Sequence, residues 1–319
     1  MDEIGRLLLE QSGVISRRQV LDRGGRVSDV QRALRRREWV RLLPGVFVDH
    51  TGRPTWLQRA WAGVLFYEPA ALAGMSALRA VAGPGWRRHP DHLPIDIAVD
   101  VSRTVQRVDG YLPHRRTRLA EHTMWNVGPP RIRVEEAALD VAAACRTELD
   151  TVALLADVVQ LRRTTARRLI AALDDRERIA RRAWLSGVLH DIECGTCSVL
   201  EHGYLRRVER AHGLPRGVRQ REPETGPRIY RDVQYSAYDQ VVELDGRLFH
   251  DSAGGRDADL DRDLDAAVDR LGTVRLGWGQ VFGRPCRTAA RVALLLQYRG
   301  WPGSPTPCGP ECGLSGTSC

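Results

Sequence analysis

The chain has 319 residues, 43% of them hydrophobic, and a formal net charge of +8, with all 48 basic residues being arginine. That length and apolar content exclude a disordered chain and allow two domains with cores of their own; the charge points to a polyanionic partner, for whose phosphates and guanines arginine is the better fork. No apolar run reaches membrane-spanning length, no basic-then-apolar leader opens the chain, and seven cysteines follow no regular framework, so a cytoplasmic, membrane-free protein is expected.

The periodicity predicts a helix over 2–10 on Ile4, Leu7 and Leu8, a second from Arg17 to Arg23 capped by Ser16, and a third from Asp29 to Arg37 capped by Ser28. Two short apolar strands then flank Pro44-Gly45 as a hairpin. Three helices and a hairpin make a winged helix-turn-helix over 1–52, whose third helix would present Arg32, Arg35, Arg36 and Arg37 to DNA. A small helical module with a solvated arginine face fits the same residues. Residues 53–190 form a connecting α/β region, with a half-buried strand on Ile95, Ile97, Val99 and Val101, helices over 135–144 and 151–161, and another ending near Leu173. No catalytic constellation stands out there.

The third region, 191–300, opens on Ser198-Val199-Leu200-Glu201, a capping box with Leu200, Tyr204 and Val208 as the buried stripe. Strands follow at 228–234 and 239–245, then a helix over 257–271, a strand over 273–276 and a helix over 288–298. The expected fold is α/β (α+β), with a mixed sheet flanked by helices. The Pro-, Gly- and Ser-rich residues 301–319 read as a disordered tail.

Val241-Val242-Glu243-Leu244-Asp245-Gly246 carries the strongest chemical signal. Alternate side chains of a strand share a face, so Glu243 and Asp245 point the same way, and Asp232 on the preceding strand adds a third carboxylate. Charged acids in an apolar sheet need a cation, and an all-oxygen set suits Mg²⁺ or Mn²⁺. His250 is placed to activate water, and Arg262 to grip a phosphate or pair with Asp259. Glu201 is a possible accessory acid beside its capping role. Cys194-Gly195-Thr196-Cys197 and Cys308-Gly309-Pro310-Glu311-Cys312 have spacings that two halves of a zinc site would show.

The set Ser198-x-x-Glu201, Gly213-Leu214-Pro215, Gln220, Asp232, Val242-Glu243-Leu244-Asp245-Gly246, His250, Asp259-x-x-Arg262 and Arg275 resembles an uncharacterised endonuclease-like family related to very-short-patch-repair (Vsr-like) endonucleases of the PD-(D/E)xK superfamily, over roughly 195–298. The first 80 residues, through Gly13-Val14-Ile15 and Arg41-Leu42-Leu43-Pro44-Gly45-Val46-Phe47, resemble the winged-helix domain of AbiEi-type antitoxins, a pairing familiar from actinobacterial proteins. The resemblance implies a restriction-endonuclease-like fold that cuts DNA, with Asp232 and Glu243 as metal ligands and Asp245 where the superfamily has a lysine; His250 would substitute for it. With no lysine anywhere, the alternative is a non-catalytic antitoxin-like transcriptional regulator whose nuclease fold is degenerate. A cognate toxin or self-association completes the partners this implies. A protein-binding scaffold is a third reading.

Overall fold

The computed structural model describes residues 3–194, 198–218, 233–245 and 272–314. The chain divides into two compact units, one of residues 1–144 and 158–164, the other of 145–157 and 165–319.

The first unit starts with α1 (Glu3–Glu10), β1 (Val14–Ser16), α2 (Arg17–Asp22), α3 (Val27–Arg35), β2 (Val40–Leu43) and β3 (Val46–Val48). Local chemistry sets these boundaries. Ser16 Oγ accepts the Gln19 N–H at 3.2 Å while Gln19 Oε1 accepts the Ser16 N–H at 3.0 Å, the reciprocal cap that starts α2. Helix α3 begins earlier than the sequence suggested. Its entry is fixed not by Ser28 but by Asp29, whose carboxylate accepts the Arg26 N–H at 2.8 Å. The strand β1 was not foreseen. It pairs antiparallel with β3, which also pairs with β2 in the order β1-β3-β2. Gly13 makes the bend before β1 possible: its φ is +85°, and a Cβ there would lie 2.2 Å from Asp49 Oδ1. Ile15, Val20, Val30 and Phe47 form the core beneath these elements, with Ile4, Leu7, Leu8, Leu34 and Trp39 packed against it.

A second, five-stranded sheet completes this unit. Its elements are α4 (Trp56–Tyr67), β4 (Ala70–Leu72), α5 (Gly74–Ala82), β5 (Ile95–Asp100), β6 (Tyr111–Arg116), α6 (Leu119–His122), β7 (Thr123–Met124), β8 (Arg131–Ile132) and α7 (Val134–Ala144). The strand order is β6-β5-β4-β8-β7, with parallel pairs β5–β6 and β4–β8 and antiparallel pairs β4–β5 and β7–β8. On β5, Ile95, Ile97 and Val99 are fully buried as their alternation predicts, but so is Ala98, and Val101, expected on the same face, is exposed beyond the end of the strand. The first 52 residues do not stand apart. Thr55 caps α4 in a box with Gln58, whose amide donates to the Ser12 carbonyl at 2.9 Å, and the compact unit runs through the expected boundary.

The second unit holds most of α8 (Glu148–Gln160), then α9 (Ala166–Asp174), α10 (Arg182–Cys194), α11 (Ser198–Tyr204) and a π-type turn over Leu205–Arg210. Leu200, Tyr204 and Val208 are fully buried, the stripe the spacing predicts. The Ser198 side chain lies outside the described residues; the Val199 N–H donates to Asp191 Oδ2 at 2.8 Å, a cap from the preceding helix. Strands β9 (Val233–Tyr235), β10 (Gln240–Asp245) and β11 (Gly272–Gly277) form a mixed sheet in the order β11-β10-β9, with β9–β10 antiparallel and β10–β11 parallel. Helix α12 (Pro285–Tyr298) starts with proline at a first-turn position, where its missing N–H is no loss. The architecture is thus α+β, with the C-terminal mixed sheet flanked by helices. No helix among the described residues is long and apolar enough to cross a membrane.

Candidate metal centre

On β10, Val241, Val242 and Leu244 are buried while Glu243 and Asp245 are half-buried. Glu243 and Asp245 do share a face, as the strand period requires. The parallel register sets Glu243 beside Arg275 of β11, and Arg275 Nε donates to Glu243 Oε2 at 2.8 Å. The side chains are 14% and 28% exposed, so the ion pair is well shielded from water. The cation that compensates Glu243 is therefore a guanidinium. Asp245 sits opposite Gly277, and Glu201 is half-buried on α11. Asp232, His250, Arg262 and the helix expected over 257–271 lie outside the described residues, as does Cys197.

A different set of donors converges in this unit. His212 follows the π-type turn and is fully buried. Its Nδ1 lies 3.1 Å from the Val208 carbonyl, so Nδ1–H donates there and Nε2 keeps its lone pair. That Nε2 is 3.7 Å from the Sγ of Cys312. Cys286, at the second position of α12, has its Sγ 3.7 Å from the Sγ of Cys308. The donor atoms of His212, Cys286, Cys308 and Cys312 all lie within 4.8 Å of one another. Among the described residues no other group of three or more His, Cys, Asp or Glu could hold an ion.

Residues 301–314, which composition marked as a disordered tail, turn back from α12 toward His212. The Trp301 N–H bonds to Leu296 and the Thr306 N–H donates to the His212 carbonyl, both at 2.9 Å. Gly213 makes that approach possible, because its φ is +63° and a Cβ would meet Thr306 Oγ1 at 2.9 Å. The Cys312 thiol is held well below its ordinary range, first by the backbone N–H of Leu314, whereas the hydrogen bonds that Cys308 donates to Cys312 and Cys286 push Cys308 up. A thiolate at Cys312 is the ligand form of the group.

These donors correct the expectation of an enzyme. Magnesium and manganese at a PD-(D/E)xK nuclease centre take oxygen ligands, whereas three thiolates and an imidazole form a Zn-type set. The candidate cluster found among the described residues is therefore of Zn type and not a Mg²⁺ or Mn²⁺ centre, which overturns the expected cofactor; Asp232 and His250 lie outside the described residues. Sequence reading paired Cys308 and Cys312 with Cys194 and Cys197; the Cys194 side chain and Cys197 lie outside the described residues, and among the described ones Cys308 and Cys312 lie with His212 and Cys286. A lone histidine and a lone cysteine far apart in sequence gave no spacing signal.

In the first unit, Asp96 of β5 accepts from His114 Nε2 at 2.7 Å, and Arg116 of β6 donates to Glu136 of α7 at 2.6 Å and to Asp140. Sequence reading missed this network because its members are scattered over several elements. Each carboxylate of the network has a guanidinium or imidazole partner, which suits a structural role.

Of the expected DNA contacts, Arg32 and Arg35 are exposed on the last turns of α3, and Arg36 and Arg37 are exposed just after it. Arg32 also pairs with Asp29 at 2.6 Å, and Arg36 with Glu38 at 3.7 Å.

No protein-family model and no curated protein matches the chain. Among solved structures it is similar to the crystal structure of the RV2827C protein from Mycobacterium tuberculosis, at 21% identity and a TM-score of 0.38, over 62% of this chain and 78% of that one. A likeness this slight leaves function to the chain's own residues.

Proposed function

We propose that the protein is a non-catalytic, DNA-binding regulator of the antitoxin-like kind, whose C-terminal sheet retains a nuclease-type outline without nuclease chemistry. The observation that carries this reading is the arginine face at the end of α3. Val30 and Ala33 are buried on one side, while Arg32, Arg35, Arg36 and Arg37 are exposed on the other. The order α1-β1-α2-α3-β2-β3, with β1 closing the sheet against β3, supports a winged helix-turn-helix in which α3 is the recognition helix. Arginine at the end of such a helix serves to neutralise phosphates, and each phosphate neutralised displaces counterions. The absence of cutting is supported by the Glu243–Arg275 pair, which neutralises the acid a metal would need.

Fluorescence anisotropy with a labelled DNA duplex, over a salt series, tests the reading. The wild type should bind with a steep salt dependence. The triple change Arg32→Ala, Arg35→Ala, Arg36→Ala should weaken binding and flatten the log–log salt slope by about 2–3, at about 0.9 for each phosphate the variant no longer neutralises. Supercoiled plasmid incubated with Mg²⁺ or Mn²⁺ should stay supercoiled. Unchanged affinity and slope in the triple variant would overturn DNA binding through α3. Metal-dependent nicking that Glu243→Ala abolishes would overturn the non-catalytic half.

A further inference from the structure

We propose that His212, Cys286, Cys308 and Cys312 bind one Zn²⁺ in a closed, four-ligand structural site that clasps the C-terminal segment to the start of α12 and to the turn before β9. The inference stands apart from the DNA-binding reading, since none of its residues lies on α3.

The geometry supports tetrahedral zinc. With Zn–S about 2.3 Å and Zn–N about 2.0 Å, the edges of a tetrahedron are about 3.8 Å between sulfurs and about 3.5 Å between sulfur and nitrogen. Two of the six separations, Cys286–Cys308 and His212–Cys312, are 3.7 Å, and all six lie within 4.8 Å. A disulfide between Cys286 and Cys308 would need the sulfurs at about 2.05 Å, and both thiols are free. The surroundings also favour the bound state. The Nδ1–H of His212 is anchored on Val208, which fixes the tautomer that presents Nε2, as histidines bound to zinc commonly are. Cys286 lies in the first turn of α12, which fixes the position of its Sγ at the cluster. Binding takes three thiolates and one neutral imidazole, so each thiol that is protonated in the free protein releases its proton.

Burial in the tail points the same way. Over the described residues 301–314 the sole buried side chain is Cys312. Trp301, Pro305 and Leu314 are only half-buried, so the one side chain this segment buries in full is a candidate metal ligand. All four positions are filled by protein, so no position is open to water or substrate, and the ion is structural.

Elemental analysis of the full-length protein, purified in reductant without chelator, tests the site. Roughly one zinc per chain is expected. Cys308→Ser and Cys312→Ser should lower that content by about tenfold or more, while Cys145→Ala keeps it. Cys308→His, which restores a nitrogen donor at an exposed position, should recover zinc and so separates ligand loss from misfolding. Replacing zinc with Co²⁺ in the wild type should give the intense visible bands of tetrahedral cobalt and thiolate charge transfer. In limited proteolysis, chelator should expose residues 301–314 to cleavage and added Zn²⁺ should protect them again. Wild-type protein that carries no zinc and takes up none, or that shows an octahedral cobalt spectrum, would overturn the proposal. Full zinc retention in both serine variants would do the same.

Discussion

The Glu243–Arg275 pair gives a direct test of how this sheet compensates its acids. Replacing Arg275 with alanine leaves Glu243 on β10 with a side chain only 14% exposed. Breaking a fully buried pair costs about 3–5 kcal/mol because a charge is left uncompensated. Arg275 is 28% exposed, so water enters part of the vacated volume and the expected loss is about 2–3 kcal/mol. Glu243→Gln should cost less, and the double variant Glu243→Gln, Arg275→Ala should recover part of the loss, giving a coupling energy of about 1–2 kcal/mol. A chain with two compact units need not unfold in one step, so the readout must be local. Native-state hydrogen exchange of peptides covering β10 and β11 reports the opening free energy of the ladder itself. If the single changes are additive within about 0.5 kcal/mol, the pair is not what stabilises Glu243, and the argument against a metal at this acid fails.

Three further perturbations probe other parts of the chain. Gly13→Ala should destabilise the first unit by upwards of about 1 kcal/mol in a thermal or urea melt, since alanine must adopt φ +85° beside Asp49. Tyr235→Phe removes a hydroxyl placed 2.9 Å from that of buried Tyr204 and 3.3 Å from Glu209, and should cost about 1–2 kcal/mol in urea unfolding of the second unit. The hydrogen bond to Asp96 raises the pKa of His114, so its protonated form is bound more tightly in the folded state than in the unfolded one. Its stabilising contribution is full below the unfolded value of about 6.5 and is lost as pH rises through the higher folded value. An NMR titration should show the elevated midpoint, and Asp96→Asn should bring it down; an unchanged midpoint would refute the assignment.

Periodicity and capping made much of the local structure legible. Leu200, Tyr204 and Val208 form the buried stripe of the α11 region, and Ile95, Ile97 and Val99 are buried on β5 as their alternation implied, though Ala98 is buried with them and Val101 is not. The strand β1 was missed because three residues are too few for a period, and its place is set by pairing with β3. The reasoning about Glu243 was sound in its physics and wrong in the compensating cation. An acid in a buried sheet does require one, but which cation depends on register, and the residue that the parallel ladder brings to Glu243 is Arg275. The cluster His212, Cys286, Cys308 and Cys312 was half legible. Cys308 and Cys312 announce themselves by spacing, while His212 and Cys286 join them only through the folded chain, at separations of 100 and 22 residues.

Different divalent ions should therefore act differently on stability. Any ligand that binds only the folded state raises its stability by RT ln(1 + [L]/Kd), about 2.7 kcal/mol at a hundredfold excess over Kd. Zn²⁺ should raise the melting temperature of metal-stripped protein. Mg²⁺ at millimolar concentration should leave it unchanged, because a small hard cation gains little from thiolates and the carboxylate of Glu243 is already matched by Arg275. Differential scanning fluorimetry of stripped wild type, Cys312→Ser and Glu243→Gln distinguishes these outcomes. A Mg²⁺-induced rise in wild type that disappears in Glu243→Gln would restore an oxygen-ligand site to β10. A Zn²⁺-induced rise that disappears in Cys312→Ser alone would put metal dependence on sulfur, where the segment 301–314 meets the rest of its unit.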